Sequence, residues 1–553
     1  MLENTKKTKI AVYRGHSKAF DGWLLSTVII SGFVIAPLAV ILFSFLSPSG
    51  EIWTHLMETV LTDLLINTVK MVSGVFAVTL VLGVSLAWLT AACNFPGRQF
   101  FSWVLLLPMA IPTYVFAFVG LGLFDFTGPV QTKLRLIYGP DLSWFPNFRS
   151  TGGVITIMSL ALYPYVYLLA RNAFITQGRQ ALEAAQMLGY SRVSGFFRVS
   201  LPLARPWIVG GSMLVIMEAL ADFGAVSIFN YTTFTTAIYK AWFGLFSLSA
   251  AAQLSSILVV FVLILFLVEQ KMRSRMLFTQ AGRQSKEVYR IELQGFIGWG
   301  SFFFCGIIFF IAFVLPIGQL LVWSLEVYRE EFDGGYGSLF INSLLLGLMG
   351  AFIISFCALL LSYSARRRKD KVTRGLVRIA TLGYALPGTV LAVGIFIPIS
   401  FFDDSLIYLQ KKILNMDAGP LLQGTVVVMM IAYLVRFMSP AFLSVNSAME
   451  RVRQSLDDAS RVMGLKGPML LLQLYLPVLK GGILTAATIV LVDIMKEMPI
   501  TLMTRPFGWD TLSVKIFELT SEGEWERAAI PAITLVLTSL IPVIFLTSHS
   551  EKE

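Results

Sequence analysis

The chain has 553 residues, of which 56% are hydrophobic and 14% charged, and its formal net charge is +10. Charged residues make up about a quarter of an ordinary soluble domain, so this composition, with a mean hydropathy of +0.75, excludes a soluble globular protein and indicates an all-α integral membrane protein. The three histidines, His16, His55 and His549, lie far apart in sequence, and no GxxxxGK[ST] loop occurs; a histidine metal cluster, a His-based triad and nucleotide binding through a P-loop are excluded with it.

Residues 1–22 form a basic leader with Lys6, Lys7, Lys9, Arg14 and Lys18, and the apolar stretch behind it lacks a clear small-residue cleavage site. It reads as an anchor with a cytoplasmic N-terminus and not as a signal peptide. A helix needs about 20 apolar residues to cross the hydrocarbon core. Spans are expected in chain order near 23–46, 64–92, 100–124, 154–170, 207–229 and 250–268, then at 296–323, 342–364, 376–399, 422–445, 481–502 and 530–547. These twelve divide into two six-helix units, 23–268 and 296–547, joined by a cytoplasmic linker at 269–295 and followed by a tail at 548–553. Loops assigned to the cytoplasm hold 29 Lys and Arg, against 10 in those assigned outside. The positive-inside rule therefore supports the count and orientation and accounts for the basic balance without nucleic acid. Cys93, Cys305 and Cys357 fall in or at the ends of spans and read as small packing residues.

One pattern occurs twice with the same spacing. Glu183-Ala184-Ala185, Gly189 and Leu201-Pro202 in the cytoplasmic loop 171–206 match Asp458-Ala459-Ser460, Gly464 and Leu476-Pro477 in the loop 446–480, at an offset of 275 residues. Asn67 with Asn342, Pro112 with Pro387, Thr236 with Thr511 and Lys240 with Lys515 obey the same offset, so the chain is an internal duplication. In each loop an acidic residue suits a helix N-terminus, small residues permit close approach, and Gly allows a bend before Pro opens the next helix. A rigid knob of this kind would transmit a push from a soluble partner.

The fifth and eleventh spans carry Glu218 with Asp222 and Asp493 with Glu497, each pair four apart and related by the offset. Spacing of four places both carboxylates on one helical face, and ionisable groups inside a membrane face a bundle interior or a watery cavity. Two readings stay open. The four line a cation pathway as an acidic ring, or they pair with Lys496, Arg436 and backbone amides freed near Gly224 and Pro499. Pro112 and Pro387, in spans that also carry Pro108 or Gly388, loosen their helices, either at a transport site or as tolerated kinks; Asn67 and Asn342 read as helix caps.

The duplicated loop resembles the coupling loop of permease subunits of bacterial type I ABC importers, with Asp458 and Ser460 departing from the usual Glu and Ala. Almost the whole chain is similar to the fused, two-repeat members of that family, with the MetI-like fold. The resemblance implies two copies of a cytoplasmic ATPase that docks on the two loops and supplies the ATP and Mg, no cofactor or metal in the chain itself, and a periplasmic or surface-tethered substrate-binding protein. It also implies surrounding membrane lipid, an inner-membrane location with both termini cytoplasmic, and a transport subunit that is not an enzyme. The segments Leu220–Phe229, Lys496–Thr501 and Arg505–Thr511 are similar to those of ferric-iron permeases, while related branches carry thiamine, polyamines, sulfate or phosphonates. Alternating access driven by the ATPase is the implied mechanism. A gradient-driven secondary transporter with an internal repeat would share the symmetry and the buried carboxylates but has no use for coupling loops. A membrane enzyme would need a convergent nucleophile or base, and the sequence supplies none.

Overall fold

The computed structural model describes residues 22–46, 51–176, 187, 189–274, 290–331, 335–368, 370–415, 419–464 and 467–550. Without water in the hydrocarbon core each backbone amide must be satisfied within its own segment, and the apolar stretches accordingly form helices. In the first half these are α1 (Gly22–Ser44), α2 (Leu61–Ala92), α3 (Thr113–Phe124), α4 (Thr151–Thr176), α5 (Leu201–Ala221) and α6 (Leu248–Ser274). The second half gives α7 (Gly295–Phe309, running on into Leu315–Glu331), α8 (Tyr336–Arg367), α9 (Gly388–Leu414), α10 (Val426–Arg451), α11 (Lys480–Lys496) and α12 (Trp525–Ser550). Among the described residues ten helices are long and apolar enough to span by themselves, and one further pair, Gly467–Val478 and Lys480–Lys496, meets the same length and hydropathy only together, bent by 77°. The twelfth expected span falls on α12.

Four spans stop and restart. The third consists of Arg98–Val104, a tight turn at Leu107–Ala110 and then α3; the ninth consists of Lys371–Ala380, a turn at Leu382–Ala385 and then α9. Pro112 and Pro387 occupy the extended residue just before α3 and α9, with φ, ψ of −58°, 146° and −57°, 144°. A residue without an N–H fits that place because the first turn of a helix has no acceptor for it. These prolines mark full breaks in the helix. Past the acidic positions α5 resumes as Gly224–Ile228 and α11 as Pro499–Thr504.

Packing does not follow chain order. One core joins α2 to α5 with α7 and α12, and the other joins α8 to α11 with α1 and α6. Each body thus takes its first and last helices from the opposite half of the sequence. The Phe118 ring of α3 stacks with Trp323, 6.3 Å away, and with Trp525 of α12, 6.4 Å away. On the other side Ser31 of α1 donates to the Leu376 carbonyl at 2.9 Å, and Ser364 of α8 donates to the Trp23 carbonyl at 3.1 Å.

Small residues set the closest approaches, as expected where lipid offers helices no hydrophobic drive to associate. A Cβ on Gly83 would lie 2.6 Å from Val166 Cβ, and one on Gly211 would lie 2.9 Å from Val166 Cα, so α2, α4 and α5 interlock at a single valine. Gly83→Leu is expected to destabilise the protein by about 1–3 kcal/mol through overpacking, read as a lower melting temperature in detergent; an unchanged melt would show that α2 and α4 separate freely.

Asn67 and Asn342 are not caps. Both lie inside helices that begin before the apolar stretch, and each amide reaches sideways to a loop: Asn67 donates to the Thr232 carbonyl at 3.3 Å, Asn342 to those of Gly508 and Asp510 at 3.3 and 3.2 Å. Polar residues ahead of the apolar run extend the helix instead of starting it, which places the asparagines one to two turns in.

Candidate functional site

The four helix breaks converge on a cavity of about 190 Å³ between the two bodies, lined by Glu218, Asp222, Asp493 and Glu497 together with Arg436 and Lys496. That is room for a small ion with part of its hydration shell. The first pair arrives at the end of α5, the second at the end of α11, and the sequence offset places them symmetrically.

Their surroundings differ within each pair. Asp222 caps Gly224–Ile228: its Oδ1 accepts from the Ala225 and Val226 amides at 3.0 and 3.2 Å, and its Oδ2 accepts from the Thr113 hydroxyl at 2.5 Å. Glu497 does the same one repeat later, accepting from the Ile500 amide at 3.3 Å. A carboxylate at a helix N-terminus satisfies amides that have no intrahelical acceptor and meets the positive end of the dipole. Glu497 also lies 3.1 Å from Arg436 Nε. That contact is an ion pair without hydrogen-bond alignment, while Nη1 of the same arginine donates to the Leu386 carbonyl at 2.7 Å.

The inner members of the pairs are less engaged. Glu218 accepts one hydrogen bond, from the Tyr384 hydroxyl at 3.0 Å, and Asp493 has no hydrogen bond or ion pair among the described residues. Lys496 Nζ reaches the Met109 carbonyl at 3.4 Å. At the offset of 275, Arg436 corresponds to Ala161 and Lys496 to Ala221, which also line the cavity. The carboxylates are symmetric and the cations are not, so four acidic groups face two basic ones. Oxygen ligands suit hard cations, and among the described residues these carboxylates do not close into a metal-holding group. The arrangement supplies an attractive field without a chelating site.

Tyr384 and Thr113 are absent from the sequence reading. Each lies within three residues of a break-marking proline, and polar side chains beside such prolines are the signal that would have found them.

Glu183, Ala184 and Ala185 lie outside the described residues. Gly189 has φ of +85° and Gly464 φ of +87°, a conformation that glycine alone adopts without cost, so both repeats turn at the same point. In the second copy Asp458, Ala459 and Ser460 lie in the helix Gln454–Val462. Ala459 is exposed, and buried Ser460 donates to the Leu456 carbonyl at 2.8 Å. A one-turn π bulge precedes each Leu-Pro, at Phe196–Ser200 and Leu471–Tyr475, closed by the amides of Leu201 and Leu476. Pro202 then opens α5, and Pro477 the short helix Leu476–Val478.

The bases of the two segments are held differently. In the first, Trp88 and Phe174 pack on Phe196 at 4.4 and 6.1 Å between ring centres. In the second, Arg366 binds Asp457 at 3.0 Å and donates to the carbonyls of Met449 and Val452 at 2.7 and 2.8 Å, and Tyr475 donates to the same Asp457. The sequence offset aligns Trp88 with Tyr363, Phe174 with Met449 and Phe196 with Leu471. Arg366→Ala removes the Arg366 donor from two helix-end carbonyls and leaves the largely buried Asp457 carboxylate with Tyr475 but no countercharge; a loss of about 1–3 kcal/mol is expected, read as protease cutting between 451 and 480 that the native chain resists. Cutting equal in both would remove Arg366 from this role.

A family profile described as "Binding-protein-dependent transport system inner membrane component" matches residues 79–276 and again 350–551. The chain is similar to the Fe(3+)-transport system permease protein FbpB 2 of Haemophilus influenzae, 28% identical over 496 residues, covering 89% of this chain and 91% of the relative. It is also similar to the ferric transport system permease protein FbpB of Actinobacillus pleuropneumoniae, 23% identical over 97% of this chain and 79% of the relative. The sulfate transport system permease protein CysW of Escherichia coli is 33% identical over 27% of this chain and 50% of its own length.

Proposed function

The chain belongs to the family of binding-protein-dependent transport system inner membrane components, and on that premise we propose that it forms by itself the complete membrane path of an ATP-driven importer of ferric iron. It is a transport subunit and not an enzyme. Two matches in one chain supply both halves of the pore, and the relatives that match along most of this chain are named for ferric iron.

The observation that carries the ion is the cavity. Four carboxylates, two from each repeat, face two cations, and such a field favours a cation over the oxyanion of the sulfate relative. In this reading Glu218 and Asp493 meet the ion, because their oxygens are the least engaged, and Asp222 and Glu497 hold the breaks in place. Glu183 and Asp458 with their neighbours dock two ATPase subunits at the cytoplasmic face. The loops around 125–150, 229–249, 400–421 and 503–529 receive the binding protein outside. ATP-driven closure of the ATPases moves the docking segments, and α5 and α11 carry that motion to the cavity, so that the two bodies rock and open it alternately to each side. The termini are cytoplasmic by the Lys and Arg bias.

The test is uptake of labelled ferric iron by cells lacking this gene and complemented with it, with thiamine, putrescine and sulfate run in parallel. Iron uptake restored by the native chain and abolished by ATP depletion is the expected result. Restoration of another solute alone would overturn the assignment of iron, and uptake that follows the ion gradient after ATP depletion would overturn the importer reading.

A further inference from the structure

Three arginines come together at the end of the bundle that carries the candidate docking segments. Arg98 opens the helix Arg98–Val104, and its Nη1 donates to the Thr90 carbonyl at 3.3 Å. The hydroxyls of Thr90 and Tyr167 are 3.1 Å apart, and Tyr167 donates to the Ser102 carbonyl at 3.0 Å, which draws α4 alongside; Arg171 lies one turn further along α4. Arg290 arrives from the linker through a short parallel pair in which Cys93 faces Ile291 and Asn94 faces Glu292, and the Leu293 amide donates to the Asn94 carbonyl at 2.9 Å.

No carboxylate among the described residues pairs with any of the three, and the Nε of each is buried without an acceptor. Glu292, the acid adjacent in the pair, instead accepts from the Asn94 side chain at 2.8 Å. Burial, with the neighbouring charge of Arg171, lowers the pKa of Arg290 in the linker. Guanidinium groups held together against their own repulsion, with planar donors unsatisfied, match the oxygens of a phosphate.

The surroundings indicate where that phosphate comes from. The cluster sits at the seam where α7 of the second repeat packs on the first, and the Phe101 and Phe302 rings meet there at 5.4 Å. Around it Phe100, Trp299 and Phe303 are exposed, at 48%, 54% and 59%, as aromatic side chains are at the boundary between lipid and water. Basic pockets between spanning helices on the cytoplasmic side are suited to anionic headgroups.

We propose that Arg98, Arg171 and Arg290 bind the phosphate of an anionic phospholipid at the inner leaflet, holding the linker and α7 against the first repeat. The side of the membrane rests on the orientation given above; the site itself does not depend on the transported solute.

The test uses the full chain, delipidated in detergent, with thermal unfolding followed as phosphatidylglycerol, phosphatidylcholine or inorganic phosphate is added. Phosphatidylglycerol is expected to raise the melting temperature saturably, with phosphatidylcholine and phosphate without effect. Each of Arg98→Gln, Arg171→Gln and Arg290→Gln should weaken the apparent affinity roughly five- to tenfold. Without lipid the triple variant should melt at or above the native temperature because the repulsion is relieved, which separates lost binding from lost folding. An equal shift with phosphatidylcholine or with free phosphate, a native response in the triple variant, or a lipid-free triple variant that melts well below the native chain would each overturn the proposal. So would loss of ATPase co-purification with the lipid response intact, which would make the cluster a protein-docking surface.

Discussion

Replacing Glu218 by Gln and Asp493 by Asn together is expected to lower iron uptake by one to two orders of magnitude while leaving the melting temperature of the protein within a few degrees of native. At an effective permittivity near 20 a unit charge about 4 Å away contributes about 4 kcal/mol. Much of that offsets the desolvation of ion and carboxylate, and a net 1–1.5 kcal/mol per side chain corresponds to about tenfold. Stability should hold because Glu218 accepts a single hydrogen bond, which Gln can also accept, and Asp493 accepts none among the described residues. The outer members of the pairs should behave oppositely. Glu497→Gln leaves Arg436 without its countercharge in a buried setting, at a cost of about 3–5 kcal/mol. Asp222→Asn keeps one acceptor oxygen for the cap of Gly224–Ile228 and costs about 1 kcal/mol. Both effects are read in the melt. If the inner pair can be neutralised with uptake unchanged, the cavity is not the path; if it lowers stability as much as Glu497→Gln does, all four carboxylates are structural.

The second large effect concerns coupling. Changing Glu183 and Asp458 together to Ala should reduce uptake to the background of cells without the gene, with the protein present in the membrane at native amount. The reason lies in the connection between loop and cavity. From Leu201 to Ala221 the chain is one helix, 21 residues long, which at 1.5 Å per residue is a rod of roughly 30 Å running from the docking segment to Glu218 and Asp222. In the second repeat the corresponding connection bends by 77° before α11, and its base is tied to α8 through Arg366 and Asp457. If these segments dock the ATPases, a push on the first travels along one continuous helix, and a push on the second turns a corner braced by α8. The single variants are expected to be unequal for this reason. ATP hydrolysis by the reconstituted complex, with and without binding protein, checks the mechanism: the double variant should lose stimulation by the binding protein. Stimulation and uptake both retained would show that these acidic residues are not where force enters.

How much of this was legible from residues alone depends on what was asked. Spans, duplication and the symmetric carboxylates could be read directly, because hydrophobic length, a fixed offset and spacing of four are local properties of a chain. Helix breaks were readable as prolines but not as full interruptions, since a proline in a span kinks or stops it according to what neighbouring helices offer the freed carbonyls. Asn67 and Asn342 were misread because helix start depends on polar residues ahead of the apolar run, and the outer loops they pin are about 165 residues away.

The division of labour among the four carboxylates was out of reach of sequence. Locally, Asp222 and Glu497 differ only in preceding the breaks, where they accept from amides three or four residues on; the rest of the difference comes from Thr113, Tyr384 and Arg436, brought from other parts of the chain. The exchange of first and last helices between the bodies is of the same kind. Sequence alone determined a duplicated, all-helical membrane protein with paired acids at matching positions of the repeat, because those features follow from the hydrophobic effect and helical geometry acting on neighbours. Only the tertiary structure decided which acids are further satisfied and which face the cavity, because satisfaction in a low-dielectric interior is set in large part by partners distant in sequence, such as Thr113, Tyr384 and Arg436.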